Sequence, residues 1–531
     1  MSTGLFRSIN MISQTKALDR NKDTEPASII SKWLERAVVA CLFLFVAFAP
    51  HSIAVTQTSW LLGMFFWVVR FAFYPPPRVY RTPIDYALIG FFILSGISSF
   101  LSYEPFISIG KLRAASLFTI VYLFAQNIPT RRVVRLLALT LVVSCSVGVL
   151  YTLGERLIGR GIKLEKVADN SPLTAGRWTT DRKKSPVAIK SGDTVLEVDG
   201  VKVGSLDDLA NALNASQGSG PARIKIFRSE WIPTLEVPRG RLLPGTTAEE
   251  RLGVSGWTTG RDWRASGLYG QYVSYAEALQ LIIALAIGMF VSLPVKRSRQ
   301  GALLLIAIVF LGSALALTVT RASWFAFLLS TTVIFVLGAG RKAILFAGVL
   351  AIPLVLAGLF ILQQKRNVGF VDYTDQSTSW RDTVWREGYA LLISKPRHLV
   401  IGVGMDSIKG HWREWGLFDG GRLPWGHMHS NPLQIALERG VPALLVWLLF
   451  LAIYARMLWR LSRSAEITEW QERGLVVGAL GGLCGFFTSG LVHYNWGDSE
   501  VVMIFYCIVG MTLAVERQIR LVDIKSGAAA R

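Results

Sequence analysis

The sequence predicts an all-α polytopic membrane protein of about twelve transmembrane helices, interrupted by one small inserted α+β domain. Three observations lead there. Of the 531 residues, 52% are hydrophobic and only 17% are charged. The apolar residues fall in runs of roughly 16 to 24, the length a helix needs to cross a hydrocarbon core about 30 Å thick. One long stretch, Gly154 to Gln271, lacks that composition and alternates instead like strands.

In chain order, spans are expected to begin near Arg36, Thr58, Asp85, Arg113 and Arg132. After the insert they resume near Tyr272, Gly301, Ala322 and Lys342, and after a second polar segment near Gly440, Gly474 and Val501. Residues 1–35 are polar with charges of both signs, unlike a cleavable signal peptide, so the first run is read as a retained helix. The loops "RFAFYPPPRVYR", "PTRRVVR", "KRSR", "GRK", "RMLWRLSR" and "RQIR" alternate with loops poor in Lys and Arg, such as "APHSIAVTQTS". By the positive-inside rule both termini are expected in the cytoplasm. The expected divisions are a tail 1–35, helices over 36–153, 272–362 and 440–516, outer segments 154–271 and 363–439, and a second tail 517–531.

The net charge of +20 invites a nucleic-acid reading. Much of the excess sits at the cytoplasmic helix ends, where orientation and anionic membrane lipid account for it, and no nucleic-acid partner is expected. The four cysteines, Cys41, Cys145, Cys484 and Cys507, fall inside apolar runs without CxxC spacing and read as small core residues.

Within the insert, a strand pattern through Val195 and Val198 meets the turn dipeptide Asp199-Gly200 and continues to Val203, a short hairpin. Ser205 is placed to cap a helix whose first turn carries Asp207 and Asp208. Ile224 and Ile226 then alternate with Arg223, Lys225 and Arg228 in a final strand. The stretch "SGDTVLEVDGVKVGSLDDL" resembles the PDZ family, with the domain over about 160–240. That resemblance implies a protein partner, although "SPLTAGRWTTDRKKSPVA" holds no clear carboxylate-binding loop, and a purely structural insert is an equal reading.

All six histidines fall in expected outer loops or at span ends on that face. Three constellations gather there: "TVTRASW", "STSWRDTVWREGYALLISKPRHLVIGVG" and "WGHMHSNPLQIALERG". Together they resemble the O-antigen ligase and polymerase family. The resemblance rests on a Thr-x-x-Arg followed by Trp; on Arg and Trp upstream of Pro and Gly-x-Gly; and on His followed by Leu-Gln and Glu-x-Gly. It sets the family histidine on His429, since Leu433, Gln434, Glu438 and Gly440 then keep the family spacing. One departure is Ser430, which stands where the family has Asn and moves Asn431 one position on.

The resemblance implies a GT-C-type fold in the bacterial inner membrane with a periplasmic active site. It implies transfer of a glycan from undecaprenyl diphosphate to an acceptor hydroxyl, without metal or other cofactor. The favoured acceptor is lipid A-core, an O-antigen ligase; a growing glycan chain, as in a Wzy-type O-antigen or exopolysaccharide polymerase, is the alternative. An acceptor hydroxyl must lose a proton as it attacks, and a histidine suits that role near neutral pH, which points to His429. The leaving diphosphate gathers negative charge best met by guanidinium forks, which points to Arg321 and Arg381.

Substrate contacts are expected from Lys111 and Arg113, which break the charge pattern at the outer end of the fourth span, and from Arg264, Arg386, His427, Asn431 and Asp498. Snorkelling is an equal reading for Lys111 and Arg113. The H-x-H pair lacks the third and fourth ligands zinc requires. An intramembrane metalloprotease would need HExxH, and no His here precedes Glu. Broken mid-membrane helices with paired charges, the mark of a transporter, are not seen. A PDZ-bearing membrane scaffold is the other non-enzyme alternative.

Overall fold

A computed structural model describes residues 29–178, 186–214, 220–228, 232–261, 264–338, 340, 376–423 and 426–529. The expected ninth span, from Lys342, lies outside them, as do residues 1–28. Eight helices among the described residues are long and apolar enough to cross a membrane, including Ile53–Arg70, Arg131–Ile158, Val441–Ser462 and the apolar part of Ser499–Ala529; Asp85–Phe100 is a shorter apolar helix. Expected spans at the first and eleventh positions correspond to the helices Ile29–Phe48 and Trp470–Ser489, which are not among the eight. The fourth differs from expectation. Its helix starts at Pro105, whose missing N–H is no loss in a first turn, and passes through a 3-10 turn at Ser116–Phe118 before continuing to Asn127. Lys111 and Arg113 therefore lie within a helix, not at its end.

The chain forms two compact units. The first comprises residues 1–145, 280–308 and 322–531. Its centre is the last helix, where every residue from Val501 to Val515 except Gly510 and Thr512 is a buried hydrophobic. Trp447, Phe450, Phe486 and Trp496 pack against Phe505 or one another, with Phe486 stacked on Phe505 at 4.7 Å. Helix Trp470–Ser489 approaches its neighbour through glycines: a Cβ on Gly288 would lie 2.3 Å from the Gly474 carbonyl oxygen. Small residues at this spacing let membrane helices meet backbone to backbone.

The second unit comprises residues 146–279 and 309–321 and contains the insert. Seven strands form one antiparallel sheet: β1 (Ile162–Leu164), β2 (Arg177–Trp178), β3 (Thr194–Val198), β4 (Val201–Lys202), β5 (Ala222–Phe227), β6 (Thr234–Val237) and β7 (Trp257–Thr259). The order is β2-β6-β5-β3-β1-β7, with β4 paired to β3. Asp199 and Gly200 both have positive φ, the conformation a two-residue hairpin turn of this twist demands. Ser205 caps helix Leu206–Ala212 in a reciprocal box with Asp208. Ile224, Ile226, Leu209 and Leu235 fill the core beneath. The sheet extends past the expected limit of 240, because the three-residue β1 is completed on its outer side by β7.

Candidate active site around a histidine pair

His427 and His429 stand in the loop before helix Asn431–Arg439, in the first unit. The peptide between them is gripped from both sides: Trp385 Nε1 donates to the Met428 carbonyl at 2.8 Å, and the Met428 N–H donates to Gln434 Oε1 at 2.7 Å. The N–H of His429 donates to Nδ1 of His427 at 3.2 Å, and the rings lie 4.0 Å apart. His429 has φ +47°, an unusual conformation for a side chain of this size. Trp380 meets its ring edge-on at 4.6 Å.

Arg381, the next residue on helix Gln376–Ile393, donates from Nε to the Val492 carbonyl at 3.2 Å. That places a guanidinium in the electrostatic surroundings of His429. Burial first, then the repulsion that a protonated ring would meet from a protonated His427 and from Arg381, holds His429 well below the usual histidine range. His427 is pushed down to about 4 by burial, then by Lys409 and His493. Both imidazoles are neutral at physiological pH.

A polar network supports the pair from beneath. Glu438 accepts from Gln434 Nε2 at 2.8 Å and from the Asp406 N–H at 3.0 Å, and Tyr494 donates to its other oxygen at 3.4 Å. Asp406 pairs with Lys111 at 2.8 Å and Lys409 at 2.9 Å. Burial raises its carboxyl, but the two ammonium groups outweigh burial and hold it below its ordinary value. Gly402 and Gly404, both at positive φ, let this loop press against its neighbours: the Gly404 N–H donates to the Glu438 carbonyl at 2.9 Å, and a Cβ on Gly404 would strike Ser102 Oγ.

The other expected site residues divide clearly. Asn431 is fully buried: its amide donates to Asn495 Oδ1 at 2.6 Å and accepts from the Trp496 N–H at 3.1 Å, so it ties two loops together inside the protein. Ser430 takes the cap position ahead of it. Asp498 opens the last helix, its carbonyl accepting from Val501 and Val502. Arg386 forms an exposed i,i+4 pair with Asp382 at 3.0 Å, and Arg113 is exposed. Lys111 alone of the fourth-span pair joins the network, through Asp406.

Arg264 and Arg321 belong to the second unit. Arg264 Nε donates to the Thr318 carbonyl at 2.8 Å, its Nη2 donates to that of Val319, and its guanidinium lies 3.9 Å from the Tyr272 ring. Arg264 thus anchors the turn immediately before Arg321. Among the described residues no group of three or more His, Cys, Asp or Glu is disposed to hold a metal ion.

One segment holds Arg321, Arg381 and His429 together in sequence. Residues 306–448 match the O-antigen ligase family model. No curated protein matches the chain. That family match, on a chain with several apolar helices of spanning length, supports a membrane enzyme of the ligase or polymerase type. Within it, sequence reasoning missed Trp380 and Trp385, although both flank arginines already singled out. Beyond its end it missed Tyr494, whose ring lies 5.4 Å from that of His427; His493, expected on the same face, is the neighbouring residue.

Proposed function

We propose that the chain is a metal-independent glycosyltransferase that moves a glycan from undecaprenyl diphosphate to an acceptor hydroxyl, most specifically an O-antigen ligase acting on lipid A-core. The observation that carries this reading is that the segment matched to the O-antigen ligase family contains His429, Arg381 and Arg321. In the proposed step the acceptor oxygen attacks the anomeric carbon, and its proton passes to the His429 imidazole. The bond from that carbon to the diphosphate breaks, and the diphosphate leaves with the electron pair, its charge met by Arg381 and Arg321.

A histidine held far below its ordinary range is a weak base. A diphosphate beside Arg381 would offset the Arg381 charge, a smaller part of what depresses His429, while burial, the largest part, stays. His427, Lys111 and Arg113 are proposed around donor or acceptor. Arg386, Asn431, Asp498 and Arg264 are retained only in supporting roles, as their contacts suggest.

The same reading places about twelve spans of GT-C type in a bacterial inner membrane, with both termini cytoplasmic and the histidine loop periplasmic. We take residues 160–259 as a PDZ-like module for a protein partner, supported by its Asp-Gly hairpin, boxed helix and closing strands. A polymerase of repeat units is the second reading, since donor chemistry is shared and only the acceptor differs.

A deletion strain analysed for envelope glycans tests the choice. Full-length carrier-linked polymer with bare lipid A-core identifies a ligase; accumulation of single repeat units identifies a polymerase; unchanged glycans overturn both. His429→Ala is expected to abolish transfer while the protein still accumulates in the membrane.

A further inference from the structure

Far from the histidine pair, the first unit holds a cleft of about 180 Å³ lined by Tyr80, Arg81, Thr82, Gln126, Arg517 and Arg520, with Glu516 beside them. Its place follows from the last helix, which begins at Ser499, directly after the loop bearing His493 and Tyr494. From Ser499 to Arg517 the helix rises about 27 Å at 1.5 Å per residue. That is close to one hydrocarbon thickness, so the cleft lies at the membrane surface opposite the histidines.

The walls are fastened in place. Tyr80 N–H donates to Gln126 Oε1 at 3.0 Å and Gln126 Nε2 returns a bond to the Tyr80 carbonyl at 2.8 Å. Arg517 donates to the Gln126 carbonyl at 2.6 Å and the Ile128 carbonyl at 2.5 Å, with its guanidinium 5.5 Å from the Tyr80 ring. The charge is not balanced. Glu516 is already paired with Arg460 at 2.8 Å and with Arg520. Arg517 has no carboxylate among its described partners, and its buried Nε has no hydrogen-bond partner there. Arg81 is exposed and makes no side-chain hydrogen bond or ion pair among the described residues.

We propose that this cleft binds a phosphate group bearing net negative charge, either the headgroup of an anionic membrane lipid or a free phosphate anion. Two guanidinium groups without a carboxylate partner, with the Tyr80 hydroxyl in the same wall, supply charge and hydrogen bonds for one phosphate, while the Thr82 hydroxyl donates to Asp85 Oδ1. The volume suits a headgroup better than a whole small-molecule ligand. Basic recesses between helices at the headgroup level are a recurrent solution for holding such groups.

Native mass spectrometry of the full chain, titrated separately with phosphatidylglycerol, phosphatidylcholine and inorganic phosphate, tests the proposal. Phosphatidylglycerol is expected to be retained over phosphatidylcholine, and Arg81→Gln to weaken that retention by about fivefold, the contribution of one basic group at a membrane surface. Arg81 has no partner to lose, so folding is unaffected; Arg517→Gln serves as the second variant. Retention insensitive to inorganic phosphate identifies a lipid site, and displacement by it identifies a phosphate site open to the free anion. Equal retention of both lipids with no phosphate binding, or binding unchanged in both variants, overturns the proposal.

Discussion

The N–H of His429 donates to Nδ1 of His427, two residues earlier, at 3.2 Å. This is the pattern of an Asx turn with an imidazole in place of the carboxamide. It fixes the neutral tautomer of His427 with its proton on Nε2, and it supports the positive φ of His429. His427→Ala is expected to lower transfer about 10- to 100-fold through misplacement of the neighbouring ring. His427→Asn, whose side-chain oxygen accepts the same N–H, is expected to restore most of it. An in vitro transfer assay on equal amounts of inserted protein decides: if Asn is no better than Ala, the turn is not what His427 provides.

The same pair predicts acid sensitivity. Free histidine titrates near 6.5, whereas burial and neighbouring charge push His427 down to about 4 and His429 lower still. Below pH 6.5 the unfolded chain therefore binds protons that the folded chain refuses. Stability is full above that pH and is lost as pH falls toward 4. Thermal unfolding of the detergent-solubilised chain is expected to shift downward between pH 7 and pH 5, and to shift less in His427→Asn. An equal shift in both would place the acid-sensitive groups elsewhere.

Val319 has φ +51°, a conformation costly for a β-branched residue, two positions before Arg321. Arg264 holds that turn by donating to the Thr318 and Val319 carbonyls. Arg264→Ala removes donors from both and is expected to destabilise by about 1–3 kcal/mol. Val319→Gly, which relieves the strain, is expected to recover part of the loss in the double variant. Denaturation of the three proteins measures this; a Val319→Gly that further weakens Arg264→Ala would show the turn is not strained.

Local features were the most legible. Asp199-Gly200 announced its hairpin, Ser205 with Asp208 announced its capped helix, and the apolar runs announced helices, because each depends on residues within one turn or one run. The site was legible only as its polar members. His429, Arg381 and the flanking His427 could be named only because the family resemblance chose among residues of the right chemistry, but the grip of Trp385 on Met428 joins positions 43 apart, and the Arg381 bond to Val492 joins positions 111 apart. No local pattern encodes such pairings. The contacts of Asn431 were hidden for the same reason: an asparagine facing a substrate and a buried one tying loops together look alike until Asn495 and Trp496 are placed beside it.

That buried tie gives a sharp steric test. Asn431 N–H donates to the Gly490 carbonyl at 2.7 Å, and a Cβ on Gly490 would lie 2.3 Å from the Asn431 amide nitrogen, well inside contact distance. The amide cannot swing aside without breaking its bonds to Asn495 and to the Trp496 N–H. Gly490→Ala is therefore expected to cost about 1–3 kcal/mol, the usual penalty of overpacking, and to reduce transfer by displacing the start of the helix that follows His429. Gly96→Ala is the control: no atom lies within 4 Å of the added methyl, and alanine favours the helix by about 0.5–1 kcal/mol. Combining Gly490→Ala with Asn431→Ala removes the clash and the tie together, so membrane accumulation should return toward normal while transfer stays low. If transfer returns as well, the tie between the two loops has no part in positioning His429.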